Sequence, residues 1–440
     1  MCFTISAAKS QTPQSTLQAL QCHFTWDLDP SRSKLFRLRD KLEDIGDDEA
    51  NYWLGHIYNL QGYIHYQLGF IDEARRLFSR VAEAFQQTRK ADEGPWLVVN
   101  YGNQAWLHHH LGEEAESQAY LSKVDALLNK YPSPSQDELH PEVYAEKAWT
   151  LMKFEADQKL LAADYFQRAI RMQPDMVEWQ TSYIIGSVNA LNHSNTELDP
   201  DLFEKMRIAK EQDPENLYLA VLYLDQRAKK GEETADEAHE LARKVLRNPV
   251  SSYSGIKPLL RLYRQPDTID EATELAEEAL GNHPDERFLK RCAALCYKWK
   301  VLFFRDSHLK QSMTDRAISL HKEVISLYPH SALLKKSDLA SMYAKSYSGM
   351  VEADRIYQEM LQTVLEPADR QLLYNNYAKY LHFDRQDRQR SIKYHMKAAE
   401  MPYQTFYRQN SIKILQKIQE RGWHQMYSEI KAFLDNLQEP

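Results

Sequence analysis

The 440-residue sequence predicts an all-α protein built from a repeated pair of helices. Three observations support this fold class. Only 13 residues are Gly and 17 are Pro, which leaves few for the tight turns of β-hairpins. Val, Ile and Thr do not alternate with polar residues over more than short stretches, so no strand pattern competes. Small and large residues instead recur at helical spacing along most of the chain.

The recurring pattern is a small residue, a large residue four positions later, and a small or β-branched residue three positions after that. These positions share one face of an α-helix, and the small residue lets a partner helix approach closely. In four segments a proline follows five positions later and ends the helix. The pattern begins at Ala74, Ser117, Ala162, Leu202, Ala238, Ala272, Ala317, Ala353 and Ser391.

A second helix is predicted before each of these segments. Gly62 and Ala105 each stand seven positions before a glycine that can end a helix, Gly69 and Gly112. Paired helices with a nominal period of 34 residues are typical of the tetratricopeptide repeat. The spacing here runs from 34 to 45 residues, which indicates longer helices or inserted loops in some units. An irregular helical protein with alanines at chance spacing is the alternative.

Targeting signals and cysteines indicate a soluble cytoplasmic protein. The N-terminus lacks a basic leader with an apolar core, and no apolar run reaches the ~18 residues of a spanning helix. Cys2, Cys22, Cys292 and Cys296 are too few for a disulfide framework. Cys292 and Cys296 are neighbours on a helix and could pair on oxidation or join a metal site, but we favour free thiols in a helical interface.

Several short motifs stand in a fixed order along the chain. Cys22-His23-Phe24-Thr25-Trp26 precedes the repeats, and Gly-Asn-Gln-Ala-Trp ends at Trp106. Trp-Thr-Leu-Met-Lys-Phe begins at Trp149, and Leu-Cys-Tyr-Lys ends at Lys298. Together they resemble the signature motifs of the interferon-induced proteins with tetratricopeptide repeats, the IFIT family. The resemblance covers about residues 15 to 435 and indicates a divergent member that is shorter at its C-terminus.

The resemblance implies a tetratricopeptide-repeat superhelix of about nine helix-turn-helix units with a central basic channel. It also implies a cytosolic, interferon-induced antiviral effector of innate immunity. Such a protein binds the single-stranded 5′ ends of foreign RNA, which carry a triphosphate or an under-methylated cap, and sequesters the RNA or blocks its translation. Other family members or the protein itself are implied as further partners, with no membrane and no cofactor.

We therefore expect one continuous solenoid with three regions. Residues 1–133 would hold the N-terminal repeats with the Cys-His-Phe-Thr-Trp motif, residues 134–329 the central repeats with a candidate RNA pocket, and residues 330–440 the C-terminal repeats.

Two pocket residues of the family are matched directly in this chain. Lys153 corresponds to the family's phosphate-binding lysine, and lysine is a point-charge ligand for phosphate. Trp149 corresponds to the tryptophan that stacks on the cap base in cap-binding members. The alternative from the residues alone is that Trp149 packs inside its repeat while Lys153 is solvated.

Other pocket positions depart from the family pattern. Arg37, Lys41 and Ile45 stand where members with a triphosphate site have Glu, Thr and Gln, and Asn189 stands where they have Arg. The family's pocket of tyrosines and an arginine falls around Tyr253, with Lys257 in place of the arginine. Either the charges compensate or the preferred 5′ end group differs, so the sequence leaves strict triphosphate specificity open.

The formal charge of −8 and the pI of about 6.1 argue at first against a nucleic-acid partner. The basic residues nevertheless collect in stripes near aromatic residues, as single-stranded nucleic-acid sites require. Solvated helix faces are the alternative, and we favour RNA binding. Five basic residues lie between positions 32 and 41, and two further stripes comprise Lys257, Arg261 and Arg264, and Arg287, Arg291, Lys298 and Arg305.

No enzymatic motif is present. The sequence lacks the phosphate-binding loop, the dinucleotide glycine motif, the zinc-protease motif and the nucleophile elbow. Consecutive histidines such as His108, His109 and His110 point in different directions on a helix and do not form a metal site. Asn100 and Asn103 allow a peptide-clamp interpretation that we do not favour. The main rival function is an interaction scaffold in innate immune signalling without 5′-end-specific RNA binding.

Overall fold

The computed structural model describes residues 13–49, 51–135, 137–154, 156–194, 198–248, 250–303, 307–422 and 426–437. Cys2 and Arg305 lie outside these ranges. The described residues form two compact units. The first comprises the residues up to Arg247 together with Ser251–Gly255, and the second comprises Asn248–Val250 and the residues from Ile256 onward. The division expected at residues 133 and 329 stays a prediction.

The first unit contains α1 to α12, with short 3-10 helices at His23–Thr25 and Pro95–Leu97. In chain order the helices are α1 Pro13–Ala19, α2 Arg32–Glu43, α3 Leu54–Leu68, α4 Ile71–Arg89, α5 Val98–His110, α6 Glu114–Lys130, α7 Pro141–Leu151, α8 Ala156–Met172, α9 Val177–Ser194, α10 Pro200–Gln212, α11 Leu217–Lys229 and α12 Ala235–Arg247.

The second unit contains α13 to α22, with a 3-10 helix at Pro329–Ser331. In chain order the helices are α13 Ile256–Leu262, α14 Ile269–Asn282, α15 Arg287–Phe303, α16 Ser307–Leu327, α17 Leu333–Lys345, α18 Met350–Gln362, α19 Pro367–Phe383, α20 Arg388–Glu400, α21 Phe406–Arg421 and α22 Tyr427–Asp435.

The predicted repeat is confirmed. Each of the nine pattern segments lies in the second helix of a pair, from α4 to α20, and α21 and α22 form a further pair. Eight of the nine small residues are at most 3% exposed, and the remaining one, Leu202, is half-buried. The all-α tetratricopeptide fold class is therefore confirmed from the packing of each pair.

Glycine at position 62 shows why the pattern requires a small residue. A Cβ atom added there would lie 2.6 Å from the ring of Phe78, which is the large residue of the next helix. The helix-ending role of glycine is confirmed at two turns. Gly69 and Gly112 have φ angles of +88° and +76°, a left-handed conformation that other residues adopt only with strain.

The described cysteines are all buried. Cys292 and Cys296 lie in α15, and burial raises the pKa of Cys22 to about 12. Thiols with raised pKa values react slowly, because the thiolate is the nucleophile. None of the described helices is both long enough and apolar enough to span a membrane.

The contact between Gly62 and Phe78 generates a prediction about stability. Gly62→Ala should lower the free energy of unfolding by about 1–3 kcal/mol, because the added methyl group overpacks the interface between α3 and α4. Gly281→Ala is the matched control, since a Cβ atom on α14 meets nothing within 4 Å there. This control should raise stability by about 0.5–1 kcal/mol, because alanine is the better helix former. Thermal unfolding of both variants measures the difference, and equal shifts would contradict the packing account.

Candidate nucleic-acid interface

The three N-terminal motifs meet at the buried side chain of His23. Its backbone N–H donates to the amide oxygen of Asn103 over 3.0 Å, and its Nδ1 lies 3.1 Å from the Asn103 amide nitrogen. Its Nε2 lies 3.1 Å from the hydroxyl of Thr150. Thr150 directly follows Trp149, so this contact anchors the segment that leads to Lys153.

The contacts of His23 define its charge state. The amide oxygen of Asn103 already accepts the backbone N–H, so its amide nitrogen faces Nδ1 as a donor. Nδ1 is therefore the acceptor, and Nε2 carries the proton that it donates to Thr150. Burial lowers the pKa of His23 to about 3, which keeps the ring neutral. A neutral imidazole with both nitrogens satisfied is a structural bridge.

Lys153 lies two residues beyond the end of α7, in a recessed and aromatic environment. Its ammonium nitrogen stands 4.1 Å from the centre of the Trp149 ring and donates to the hydroxyl of Tyr253 over 2.7 Å. The side chain is partly exposed, yet burial lowers its pKa to about 7. In the described part of the chain it has no ion-pair partner. An incoming anion would therefore not compete with a carboxylate of the described residues for this ammonium.

Tyr253 is carried by the loop Ser251–Gly255, whose first two residues are hydrogen-bonded to the first unit. The backbone N–H of Ser252 donates to the Asp44 carbonyl over 2.8 Å, and the Ser251 hydroxyl donates to the Ile45 carbonyl over 2.7 Å. Gly255 has a φ of +90°, and a Cβ atom there would lie 3.1 Å from the backbone of Leu217. These contacts hold Tyr253 opposite Lys153.

A second tyrosine extends the site toward α9. The Tyr218 ring lies 6.2 Å from the Tyr253 ring in an edge-to-face arrangement, and the Tyr218 hydroxyl accepts a 3.4 Å hydrogen bond from Asn189. Asn189 thus lies beside Tyr218, and it contributes an amide where the resemblance implies an arginine. Lys153 places an ammonium beside Tyr253.

Trp149 is packed inside its repeat and is only 1% exposed. Its ring stacks on Trp53 with a centroid distance of 5.6 Å and an interplanar angle of 14°. The burial of Trp149 agrees with the alternative in which it packs inside its repeat. Lys153 does not fit that alternative, because it contacts Trp149 and Tyr253 and is not simply solvated. Trp53 carried no motif in the sequence, and only the fold brings it to Trp149.

The remaining site candidates of the first unit lie on and just beyond α2. Arg37 is half-buried and Lys41 is exposed, whereas Ile45 is only 5% exposed. The backbone carbonyl of Ile45 accepts a hydrogen bond from the Ser251 hydroxyl, and its apolar side chain belongs to the core.

The two asparagines of the peptide-clamp interpretation are used internally. Asn103 binds His23, while Asn100 donates to Asn59 over 2.9 Å and accepts from Gln104 over 2.8 Å. Asn59 in turn donates to the buried carboxyl of Glu146 over 2.8 Å, and burial raises the pKa of Glu146 well above its ordinary value. Neither amide is presented to a peptide, so the clamp interpretation is wrong.

The basic residues of the second unit differ in how far their charge is already compensated. Lys298 forms a 2.5 Å ion pair with Asp338. Arg261 and Arg264 are exposed on and after α13, and Lys257 is half-buried there. Three arginines lie over aromatic rings: Arg287 and Arg291 over Tyr328 at 4.5 and 5.4 Å, and Arg264 over Trp299 at 5.2 Å.

The three consecutive histidines at the end of α5 each have a separate partner. His108 lies 2.5 Å from Glu113, His109 lies 3.0 Å from Glu114, and His110 lies 2.8 Å from the Tyr66 hydroxyl. Throughout the described ranges, no group of three or more His, Cys, Asp or Glu side chains is arranged to hold a metal ion.

The neutral state of His23 generates a prediction about pH. Its pKa is about 3 in the fold and about 6.5 in the unfolded chain, so below pH 6.5 the unfolded state binds more protons. The stability that neutral His23 contributes is therefore present above pH 6.5 and is lost as the pH falls toward 3. Acidification from pH 7.5 to 5 should cost about 2 kcal/mol at this residue.

Urea unfolding of His23→Gln at both pH values measures this contribution. The variant should lose about 2 kcal/mol less on acidification than the parent chain. The matched control is His283→Gln, at an exposed position, which should keep the acid sensitivity of the parent. Identical pH dependence in His23→Gln and the parent would contradict a neutral buried His23.

The chain is similar to known proteins over most of its length. No protein-family model matches the chain. The human antiviral innate immune response effector IFIT1 is 26% identical over 425 residues, which are 92% of this chain and 87% of the relative. The human interferon-induced protein with tetratricopeptide repeats 2 is 26% identical over 450 residues, which are 97% of this chain and 92% of the relative.

Solved structures share the fold over nearly the whole chain. The human IFIT1 dimer with m7Gppp-AAAA has a TM-score of 0.71 and 23% identity, and the match covers 97% of both chains. The human IFIT1 dimer with PPP-AAAA has a TM-score of 0.67 and 24% identity, and the match covers 97% of this chain and 96% of the other. The chain is therefore a divergent homologue of the interferon-induced proteins with tetratricopeptide repeats.

Proposed function

We propose that this chain is an antiviral effector of innate immunity that binds the 5′ ends of single-stranded RNA at Lys153. By holding such ends it would sequester foreign RNA or block its translation in the cytoplasm. The observation that carries this proposal is the recessed Lys153 ammonium, which has no ion-pair partner in the described residues and lies beside the Tyr253 hydroxyl. The human IFIT1 structures with PPP-AAAA and m7Gppp-AAAA support the same class of ligand.

The chemistry of the site suits a terminal phosphate. An ammonium and a phenolic hydroxyl 2.7 Å apart can both donate to the oxygens of one phosphate group. A phosphate also favours the charged form of Lys153, because its negative charge offsets the burial that lowers the lysine pKa. Within this site the proposal involves binding and no bond-making step, so the chain would act as a binding protein and not as an enzyme.

Removal of the Lys153 charge should selectively weaken the binding of RNA that carries 5′ phosphates. Lys153→Gln should reduce affinity for 5′-triphosphate RNA at least tenfold, since the variant cannot form a charge-assisted hydrogen bond in this partly buried site. Affinity for 5′-hydroxyl RNA of the same sequence should change less than twofold. Fluorescence anisotropy with 5′-hydroxyl, monophosphate, triphosphate and capped RNAs measures both effects.

Lys147→Gln is the matched control for this experiment. Lys147 lies on α7, is half-buried and stands 4.8 Å from the Tyr165 ring, so it resembles Lys153 in charge and aromatic contact. Its removal should leave the preference for 5′ phosphates unchanged. The proposal fails if the parent chain binds all four RNAs equally, and that result would favour the interaction-scaffold alternative. A pulldown with nuclease treatment then identifies partners that do not depend on RNA.

We further propose that exposed basic residues of the second unit contact the RNA backbone. Arg261→Gln should weaken the binding of 5′-hydroxyl and 5′-triphosphate RNA equally, because a contact to the RNA backbone does not depend on the end group. The slope of log affinity against log salt should become shallower by about 0.7 for each phosphate that the variant no longer neutralises. Titrations at several salt concentrations give the slope, and an unchanged slope removes Arg261 from the interface.

Self-association is a further property to be tested. Human IFIT1 is a dimer in its structures with m7Gppp-AAAA and with PPP-AAAA, which supports a second copy of this chain as a partner. Light scattering over a concentration series gives the oligomeric state directly.

A further inference from the structure

The ammonium of Lys153 has different neighbours from other lysine ammonium groups of the chain. The Lys34 ammonium lies 2.7 Å from the carboxylate of Asp29, and that of Lys298 lies 2.5 Å from the carboxylate of Asp338. A carboxylate at such a distance stabilises the charged form of a lysine. Lys153 has no carboxylate partner within the described ranges, so its charged form lacks this stabilisation.

The groups that face the Lys153 nitrogen are aromatic. It stands 4.1 Å from the centre of the Trp149 ring and 2.7 Å from the Tyr253 hydroxyl, and the Tyr218 ring lies 6.2 Å beyond the Tyr253 ring. Burial raises the pKa of Tyr253, so its hydroxyl stays neutral. Burial also lowers the pKa of Lys153 to about 7, and no charge of the described residues opposes this change. About half of the Lys153 side chains therefore carry an uncharged amine at neutral pH, against roughly one in a thousand for an ordinary lysine.

An uncharged lysine amine is a nucleophile, because its lone pair is free to attack a carbonyl carbon. Lys153 is partly exposed and Tyr253 is 37% exposed, so a small acyl donor can reach the nitrogen from solvent. With an acyl thioester, the nitrogen attacks the carbonyl carbon, the carbon–nitrogen bond of an amide forms and the carbon–sulfur bond breaks. The sulfur leaves as a thiolate and takes up the proton that the nitrogen loses. The products are an uncharged acyl-lysine and a free thiol.

We propose that Lys153 is an acylation site that reacts with acyl thioesters at neutral pH, and that its acylation switches off phosphate binding at this side chain. The aromatic surroundings and the lack of a carboxylate partner among the described residues carry this inference. It rests on the proposed function, because it assigns a means of regulation to the same site. Acylation removes the charge of the ammonium and with it the charge-assisted hydrogen bond to a phosphate.

The rate of acetylation at each lysine tests the reactivity directly. The full chain is incubated at pH 7.5 with S-acetyl-N-acetylcysteamine, a small uncharged acetyl thioester, and peptide mass spectrometry follows each lysine over time. Lys153 should be acetylated about fivefold or more faster than Lys34 and Lys298, which are ion-paired. Between pH 7.5 and 8.5 the rate at Lys153 should rise about twofold or less, because most of its amine is already uncharged, whereas the rate at the ion-paired lysines should rise about tenfold.

Two substitutions at Tyr253 separate the effect of charge from that of shape. Tyr253→Glu places a carboxylate beside the lysine and should slow the acetylation of Lys153 about fivefold or more, because an ion pair stabilises the ammonium. Tyr253→Gln is the matched control, since glutamine has the size of glutamate without its charge, and Lys153 should still be acetylated faster than Lys34. Thermal unfolding verifies that both variants are folded, and if either is not, the pH profile of the parent chain decides the question.

The consequence for RNA is measured on the acetylated parent chain. Acetylation of Lys153 should weaken the binding of 5′-triphosphate RNA about tenfold or more, since the amide cannot form a charge-assisted hydrogen bond. The same treatment should leave the RNA affinity of Lys153→Gln unchanged, and this variant is the matched control for acetylation at other lysines.

The reactivity and its consequence fail in distinguishable ways. Acetylation of Lys153 at the rate of Lys298, or equal rates in Tyr253→Glu and Tyr253→Gln, would overturn the inference and leave the proposed function standing. Rapid acetylation of Lys153 that leaves the binding of 5′-triphosphate RNA unchanged would instead overturn the role of this side chain in the proposed function, and the proposed regulation with it.

Discussion

The buried side chain of His23 is the contact on which the geometry of the first unit depends. Its ring joins a short 3-10 helix near the N-terminus to Asn103 on α5 and to Thr150 on α7, which are 80 and 127 residues away in sequence. A buried donor or acceptor left without its partner costs far more than an average hydrogen bond contributes. The bridge therefore specifies one arrangement of the two helices. That arrangement determines the position of Lys153, because Lys153 lies three residues beyond Thr150.

The electrostatic environment of a lysine decides what that lysine can bind. Lys298 faces Asp338 at 2.5 Å, so its charge already has a partner within the fold. Lys153 faces a tyrosine hydroxyl and an aromatic ring, which stabilise an ammonium less than a carboxylate does. Burial accordingly lowers the pKa of Lys153 to about 7. A net charge of −8 for the whole chain therefore says little about this site, because local pairing and burial determine which cations remain available.

Aromatic residues near Lys153 have two distinct roles in this molecule. Tyr253 is 37% exposed and presents its hydroxyl to Lys153. Trp149 is buried and supports the same lysine from the side of the core. The distinction follows from the neighbours: Trp53 fills the space beside Trp149, whereas Tyr253 stands on a loop that is hydrogen-bonded at Ser251 and Ser252 and leaves the ring partly open.

The sequence by itself determined the helix pairs and the motifs, and the tertiary structure decided how the site is assembled. Small residues at helical spacing, such as Ala74 and Ala272, predict buried positions because close helix packing tolerates nothing larger. The match of Lys153 to a family motif likewise needed only the order of residues. The role of Trp53 could not be predicted, because nothing in its local sequence indicates that it stacks on a residue 96 positions later. The pairing of Lys298, the internal use of Asn100 and the covered faces of Trp149 depend in the same way on contacts between distant segments, which local spacing does not encode.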